Sequence, residues 1–260
     1  MKLTDNTIFI TGGSAGIGLA LAKAFYALDG NKIIICGRNL EKLQKVQQDL
    51  PNIEIIQCDI SKAEDIQQCT QKLTSHFPRL NILINNAAII NTYDFFENRS
   101  ALALLEKEVE TNILGPMRLT HSLLPLIHRQ KSAALINITT GTAWVPMPAC
   151  PGYSATKAAL HSLSISLRIQ LSKSHIKVFE VIPPLVDTDM SRSVSVVSNG
   201  HTKMTTDTLA KRVLKGLRRN ELEMRIGMNN VLYWLHRIWP WAAQRALTTE
   251  KKSTDTRQSS

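Results

Sequence analysis

Thr-Ile-Phe-Ile-Thr-Gly-Gly-Ser-Ala-Gly-Ile-Gly-Leu-Ala-Leu-Ala-Lys-Ala-Phe, residues 7–25, decides the fold of this 260-residue chain. Thr7 to Thr11 is a short β-branched and aromatic run, the composition of a strand buried on both faces. Leu19 to Phe25 is rich in strong helix formers. Between them lie Gly12, Gly13, Gly16 and Gly18, so the order is strand, Gly-rich turn, helix. Backbone N–H groups at such a helix start are unpaired and partly positive, and glycines let the backbone approach a pyrophosphate. The spacing Gly12, Gly16, Gly18 differs from the commoner G-x-G-x-x-G, so the strand-to-helix setting carries the assignment. Gly12 to Gly16 also spells G-x-S-x-G, a hydrolase nucleophile elbow on Ser14. That fold needs an oxyanion-hole loop after an earlier strand, and the 13 residues before Ser14 leave no room for one.

Apolar runs recur near Ile8, Ile33, Ile53, Ile82, Leu135 and Val178, separated by helical stretches. This alternation predicts an α/β fold, a doubly wound parallel sheet with helices on both faces. With 43% hydrophobic residues the chain can bury a full core as one domain, expected over 1–247. The polar tail 248–260 is expected to be disordered. Ligands of such sheets bind beyond the carboxyl ends of the strands. There, after the run Lys32 to Cys36, the chain reads Gly37-Arg38-Asn39. An acidic residue near this point suits the ribose 2′-OH of NAD, whereas Arg38 suits a 2′-phosphate and points to NADP(H) over NAD(H). Arg38 as a solvated loop charge with Asn39 capping the next helix is the plainer reading, and both can hold together.

Tyr153 and Lys157 stand four residues apart in Tyr-Ser-Ala-Thr-Lys. On a helix they share one face, so the ammonium can approach the phenol. A nearby cation favours phenolate and draws down a pKa that is ordinarily about 10. Such a tyrosine can exchange a proton with an alcohol or a ketone. Spacing alone would equally describe a surface pair on an amphipathic helix.

Taken in order, these motifs resemble the short-chain dehydrogenase/reductase superfamily in its compact form, from Thr7 to about Met190. The resemblance implies a Rossmann-type domain that moves a hydride between NADP(H) and a carbonyl or secondary alcohol. Its T-G-x-x-x-G-x-G turn is Thr11 to Gly18, with Gly12, Ser14, Gly16, Ile17 and Gly18 at the cofactor. Asp59 matches the adenine-contacting acid, the alternative being a helix-start residue before a capping box Ser61-x-x-Glu64. Asn85-Asn86-Ala87-Ala88 is similar to the family's Asn-Asn-Ala-Gly, with Asn85 and Ala87 at the cofactor and Ala88 in place of Gly. Asn112 suits the catalytic asparagine that orders a water between Lys157 and solvent. Tyr153 is the implied proton donor, and Lys157 is implied to lower its pKa and hold the nicotinamide ribose. The family's serine, thirteen residues before the tyrosine, is here Thr140, which keeps the O–H donor and adds a methyl. Ile182-Pro183-Pro184-Leu185-Val186-Asp187-Thr188 carries Pro184 where the family has Gly, with Thr188 matching the residue at the nicotinamide carboxamide. Pro184 removes a backbone donor and stiffens that edge. This run, with Ile-Cys-Gly-Arg-Asn, is similar to the bacterial DltE-type branch.

Cys36, Cys58, Cys69 and Cys150 make no metal-ligand spacing and read as reduced thiols of a cytoplasmic protein; Cys150 is either inert or modifiable. The seven histidines form no cluster, and no metal is implied. No signal peptide is expected, and no stretch is apolar over about 18 residues. Of the net charge of +10, a surplus of +7 (12 Lys or Arg against 5 Asp or Glu) falls in residues 201–260. No nucleic-acid motif accompanies it. Trp234, Trp239 and Trp241 share that region, in an amphipathic segment 229–247. The segment is expected to bury its apolar face on the protein or on a second subunit of a dimer or tetramer, with a lid over an apolar substrate pocket as one alternative. A helix in a membrane interface is the other. A nucleotide-binding regulator with little turnover is the rival to an enzyme.

Overall fold

In the computed structural model, which describes residues 1–194 and 203–248, seven strands form one sheet: β1 (Thr7–Thr11), β2 (Lys32–Gly37), β3 (Glu54–Gln57), β4 (Leu80–Asn85), β5 (Ala133–Ile138), β6 (Ile176–Ile182) and β7 (Glu223–Arg225). Their order is β3-β2-β1-β4-β5-β6-β7 and every pairing is parallel. The order reverses between β1 and β4, which is where open sheets of this kind bind ligands. The helices are α1 (Gly16–Tyr26), α2 (Leu40–Asp49), α3 (Ala63–His76), α4 (Ala101–Val109), α5 (Gly115–His128), α6 (Pro151–Gln170), α7 (Asp189–Ser193), α8 (Thr206–Arg218), α9 (Asn229–Ile238) and α10 (Pro240–Thr248).

Period-two alternation divides the core. Ile8 and Ile10 of β1, Ile33 and Ile35 of β2 and Phe179 and Val181 of β6 face one layer with α1, α2 and α8. Phe9, Ile34 and Val178 face the other, with α3 and α5. The inner strands are apolar on both sides because both sides are covered. The sheet and its two helical layers are a single doubly wound, Rossmann-type domain.

Three local expectations need correction. A seventh strand, β7, extends the sheet beyond the six apolar runs; it is three residues long and carries Glu223 and Arg225, so it lacks an apolar signature. The Ser61-x-x-Glu64 capping box does not form, since α3 begins at Ala63 and the Ser61 hydroxyl donates to Asp59 Oδ1 at 2.8 Å. Third, the apolar face of segment 229–247 is not buried on the chain itself: Trp234, Ile238, Trp239 and Trp241 are all more than half exposed. Of the tail 248–260, only Thr248, which ends α10, lies among the described residues.

Candidate active site

The Gly-rich turn lies between the ends of β1 and β4. Gly12 and Gly16 have φ of +65° and +53°, conformations that a side chain would strain. A Cβ on Gly12 would press on Ala87, and one on Gly18 would collide with the Gly12 carbonyl. The turn is stitched to the β4 end by Thr11, whose Oγ1 accepts from the N–H groups of Asn86 and Ala87 at 3.0 Å each. Asn86 Nδ2 donates to Thr11 O at 2.8 Å. Helix α1 starts in this turn with Ala15 as its N-cap, no side-chain cap and no acid in its first turn. Its leading N–H groups, on Gly16, Ile17 and Gly18, are therefore left for an anion. The turn fits a dinucleotide pyrophosphate.

Around this cradle the other nucleotide-side residues take their places. Gly37 abuts Ser14: a Cβ on Gly37 would lie 3.4 Å from Ser14 Oγ. Arg38 follows, exposed, while Asn39 caps α2 by accepting from Lys42 N at 2.8 Å. Asp59 accepts from the N–H and O–H of Ser61. Thr188 reaches over the turn, its Cγ2 3.2 Å from where a Gly16 Cβ would stand. It also caps α7, accepting from Ser191 N at 3.1 Å. Asn85 faces inward: its side chain is buried and donates to Asn137 Oδ1 at 2.9 Å and Thr120 Oγ1 at 3.2 Å. Its Oδ1 is buried and has no partner among the described residues.

The reactive side chains gather at the ends of β4 and β5 and the start of α6. Helix α6 begins with Pro151 at its first turn, which suits the fixed φ of proline. Tyr153 stands in that same turn and Lys157 one turn later, the Lys157 ammonium 5.7 Å from the centre of the Tyr153 ring. Lys157 Nζ donates to Ile138 O at 2.8 Å, two residues before Thr140. Thr140 leads the loop after β5; its hydroxyl accepts a long 3.5 Å bond from Thr142 N, leaving its O–H to donate elsewhere. Asn112 lies in a π-turn, Glu110–Leu114, between α4 and α5. Single π-turns of this kind cluster at functional sites. Its amide brackets Ile89, accepting from Ile89 N at 2.8 Å and donating to Ile89 O at 2.9 Å, and it donates to Thr156 Oγ1 at 3.1 Å.

The electrostatics correct one expectation. Tyr153 is not drawn down toward neutrality: burial pushes its phenol above the ordinary value, and Cys150 and Glu108 add to the rise. Lys157 is lowered to about 8 by desolvation. The phenol is therefore a held proton and the ammonium a marginal cation. Cys150 is fully buried and raised to about 11, first by burial and then by Glu108, so it is a protonated, inert thiol.

Two buried carboxylates brace this site, and neither was picked out from the sequence. Glu108 accepts from Asn91 N at 2.7 Å and from Tyr93 Oη at 3.0 Å, and it packs against Gly152, leaving no space there for a side chain. Glu180, on β6 and fully buried, accepts from Thr139 Oγ1 at 2.6 Å and from His161 Nδ1 at 2.9 Å. Trp144 Nε1 donates to His161 Nε2 at 3.2 Å. Thr139 and Trp144 are the flanks of the Thr140 loop, so one carboxylate ties that loop to α6 and β6. The detectable signals were a lone acid inside Ile-Lys-Val-Phe-Glu-Val-Ile and a histidine continuing the Tyr153, Lys157 spacing by one further turn.

A family model described as short chain dehydrogenase matches residues 6–197. The chain is 42% identical over 192 residues to the uncharacterized oxidoreductase DltE of Bacillus subtilis, covering 74% of this chain and 76% of that one. It superposes with a TM-score of 0.83 on a short chain dehydrogenase from Burkholderia cenocepacia in complex with NADP, at 24% identity over 96% of this chain and 100% of the other. A short chain dehydrogenase/reductase from Burkholderia phymatum in complex with NAD gives 0.79, at 16% identity, covering 92% and 96%. At such identities the two structures show the shared fold and do not choose between the two cofactors.

Proposed function

This chain belongs to the short-chain dehydrogenase/reductase superfamily of oxidoreductases, and on that premise we propose that it prefers NADP(H) and reduces a carbonyl, or oxidises the matching secondary alcohol, through Tyr153. The observation that carries the reading is the placement of Lys157 beside Tyr153 at the strand ends, with the Thr140 loop anchored next to them. A bound nicotinamide supplies the hydride; the protein supplies position, charge and a proton.

In the reductive direction Tyr153 gives the proton to the substrate oxygen. The phenol carries its proton at neutral pH, and because burial makes that proton harder to give up, its transfer depends on Lys157 stabilising the phenolate left behind. Thr140 donates a hydrogen bond to the same oxygen, stabilising charge that develops there. Lys157, held by Ile138 O, stands where it can offset charge on the phenolate that remains and hold a ribose hydroxyl. Asn112, whose amide is engaged with Ile89 and Thr156, is the residue that would order a water on the route from Lys157 to solvent, through its backbone. Gly12, Ser14, Gly16, Ile17 and Gly18 hold the pyrophosphate, and Arg38 grips the 2′-phosphate. Asp59, Asn85, Ala87 and Thr188 complete the nucleotide contacts, Asn85 through its backbone. The substrate is a small apolar ketone, aldehyde or alcohol. Ile165 and Ile169, one turn apart on α6 and 38% and 69% exposed, support a homo-oligomer covering that helix.

The test is calorimetric titration with NADPH and NADH followed by an NADPH-oxidation screen over ketones, aldehydes and steroid-like carbonyls. Tighter NADPH binding and turnover of at least one carbonyl are expected. Binding of neither nucleotide overturns the reading.

A further inference from the structure

Helix α9 turns its apolar side outward. Met228, Val231, Trp234 and Ile238 recur at steps of three, three and four residues, which places them on one side of the helix. They are 71%, 58%, 53% and 71% exposed, and Trp239 and Trp241 at the corner into α10 are 59% and 65% exposed. Other residues hold the helix down. Asn229 Nδ2 donates to Ile182 O at 2.9 Å, and Leu232 packs over Gly141. Tyr233 meets Trp144 edge-on at 5.0 Å and lies under the Arg225 guanidinium at 3.5 Å. The outward stripe is thus not needed to keep α9 in place, and a contiguous exposed patch of this kind marks an interaction surface.

Charge identifies the occupant. Residues 229–248 contain Arg237 and Arg245 and no Asp or Glu, and residues 249–260 add Lys251, Lys252 and Arg257 against Glu250 and Asp255. In a twofold contact between copies the face would meet itself, bringing cation to cation with no carboxylate of α9 or α10 between them. An anionic bilayer meets both needs. Its phosphates accept the basic side chains and its outer acyl region takes the stripe, while tryptophans favour the boundary between the two. A ten-residue helix is about 15 Å long, half of a hydrocarbon core, so α9 would lie in the surface and not cross it. Among the described residues, no helix is long and apolar enough to span. We propose that the Met228 to Trp241 face docks the protein on an anionic membrane surface. This stands apart from the hydride chemistry.

The full chain is floated with phosphatidylcholine vesicles and with vesicles that also contain phosphatidylglycerol. It should float with the second only and be released by high salt. Trp234→Ser combined with Ile238→Ser and Trp241→Ser should cut vesicle binding about tenfold or more while far-UV circular dichroism stays unchanged. Arg237→Glu should weaken binding and leave the apolar stripe intact. Should the triple variant misfold, the wild-type tryptophan emission decides: a blue shift with phosphatidylglycerol vesicles, quenched by brominated lipid, supports docking, and no shift overturns it. Failure to float, or flotation indifferent to these substitutions, also overturns it. A solution dimer that the serine substitutions dissociate would assign the face to a second copy.

Discussion

Replacing Glu180 with Gln tests whether the Thr140 loop is held by a buried charge. The carboxylate is fully buried and accepts from the Thr139 hydroxyl at 2.6 Å and from His161 Nδ1 at 2.9 Å. Glutamine keeps the volume, so no cavity is created, and its Oε1 can still accept from both neighbours. The charge is lost, and an amide donor replaces the second oxygen that faces His161 Nδ1. Each hydrogen bond to a charged group contributes about 1.5–3 kcal/mol, and a neutral one about half as much. Two bonds each losing about half give a destabilisation of about 1.5–3 kcal/mol. The pH dependence carries the sign. The Glu180 hydrogen bond raises the His161 pKa above its ordinary value. The ion pair's stabilisation is therefore fully present below the unfolded pKa of about 6.5 and fades as pH rises through the folded value. Loss of the Trp144 hydrogen bond on protonation offsets part of it, since a charged imidazole cannot accept. Urea midpoints for wild type and Glu180→Gln should therefore differ more at about pH 6 than at about pH 9. Equal midpoints, or a difference that ignores pH, would refute the clamp.

Arg38→Ala should weaken NADPH binding by about 1.5–3 kcal/mol, with NADH nearly unaffected, since only the former has a 2′-phosphate to grip; calorimetric titration reads the difference. Thr140→Val should remove turnover on the order of a hundredfold, because it keeps the shape and deletes the donor, while Thr140→Ser should be tolerated; steady-state kcat checks both. The kcat/KM for reduction should fall as pH rises through about 8, where Lys157 loses the proton that makes it a cation. A flat profile from about pH 6 to about pH 10 would remove Lys157 from that role.

The sheet was legible because six of its strands are apolar runs and end at motifs. Gly12, Gly16 and Gly18 could be read because a Cβ at Gly18 would collide with the Gly12 carbonyl and because Gly12 and Gly16 have positive φ. Tyr153 and Lys157 could be read because helical spacing fixes their adjacency. The tyrosine's protonation was not legible: Cys150 is three residues before it, but its burial and the approach of Glu108 come from tertiary packing that no spacing rule gives. Glu180 was missed because acids are usually solvated, and only tertiary contacts reveal that Thr139 and His161 compensate its burial. The orientation of α9 was misjudged for a related reason. Periodicity says that a helix has an apolar side and says nothing of which way it faces; Asn229 and Tyr233, both with polar groups, hold the inner side.

The rate of NADPH oxidation with the best carbonyl from the screen, compared between wild type and Tyr153→Phe at matched cofactor occupancy, tests the assignment most directly. Phe removes the proton donor and leaves the pyrophosphate turn and Arg38 untouched. Turnover should fall to background while the NADPH dissociation constant stays within about threefold, a change of under 1 kcal/mol. Near-normal turnover by Tyr153→Phe would contradict Tyr153 as the acid of the reaction.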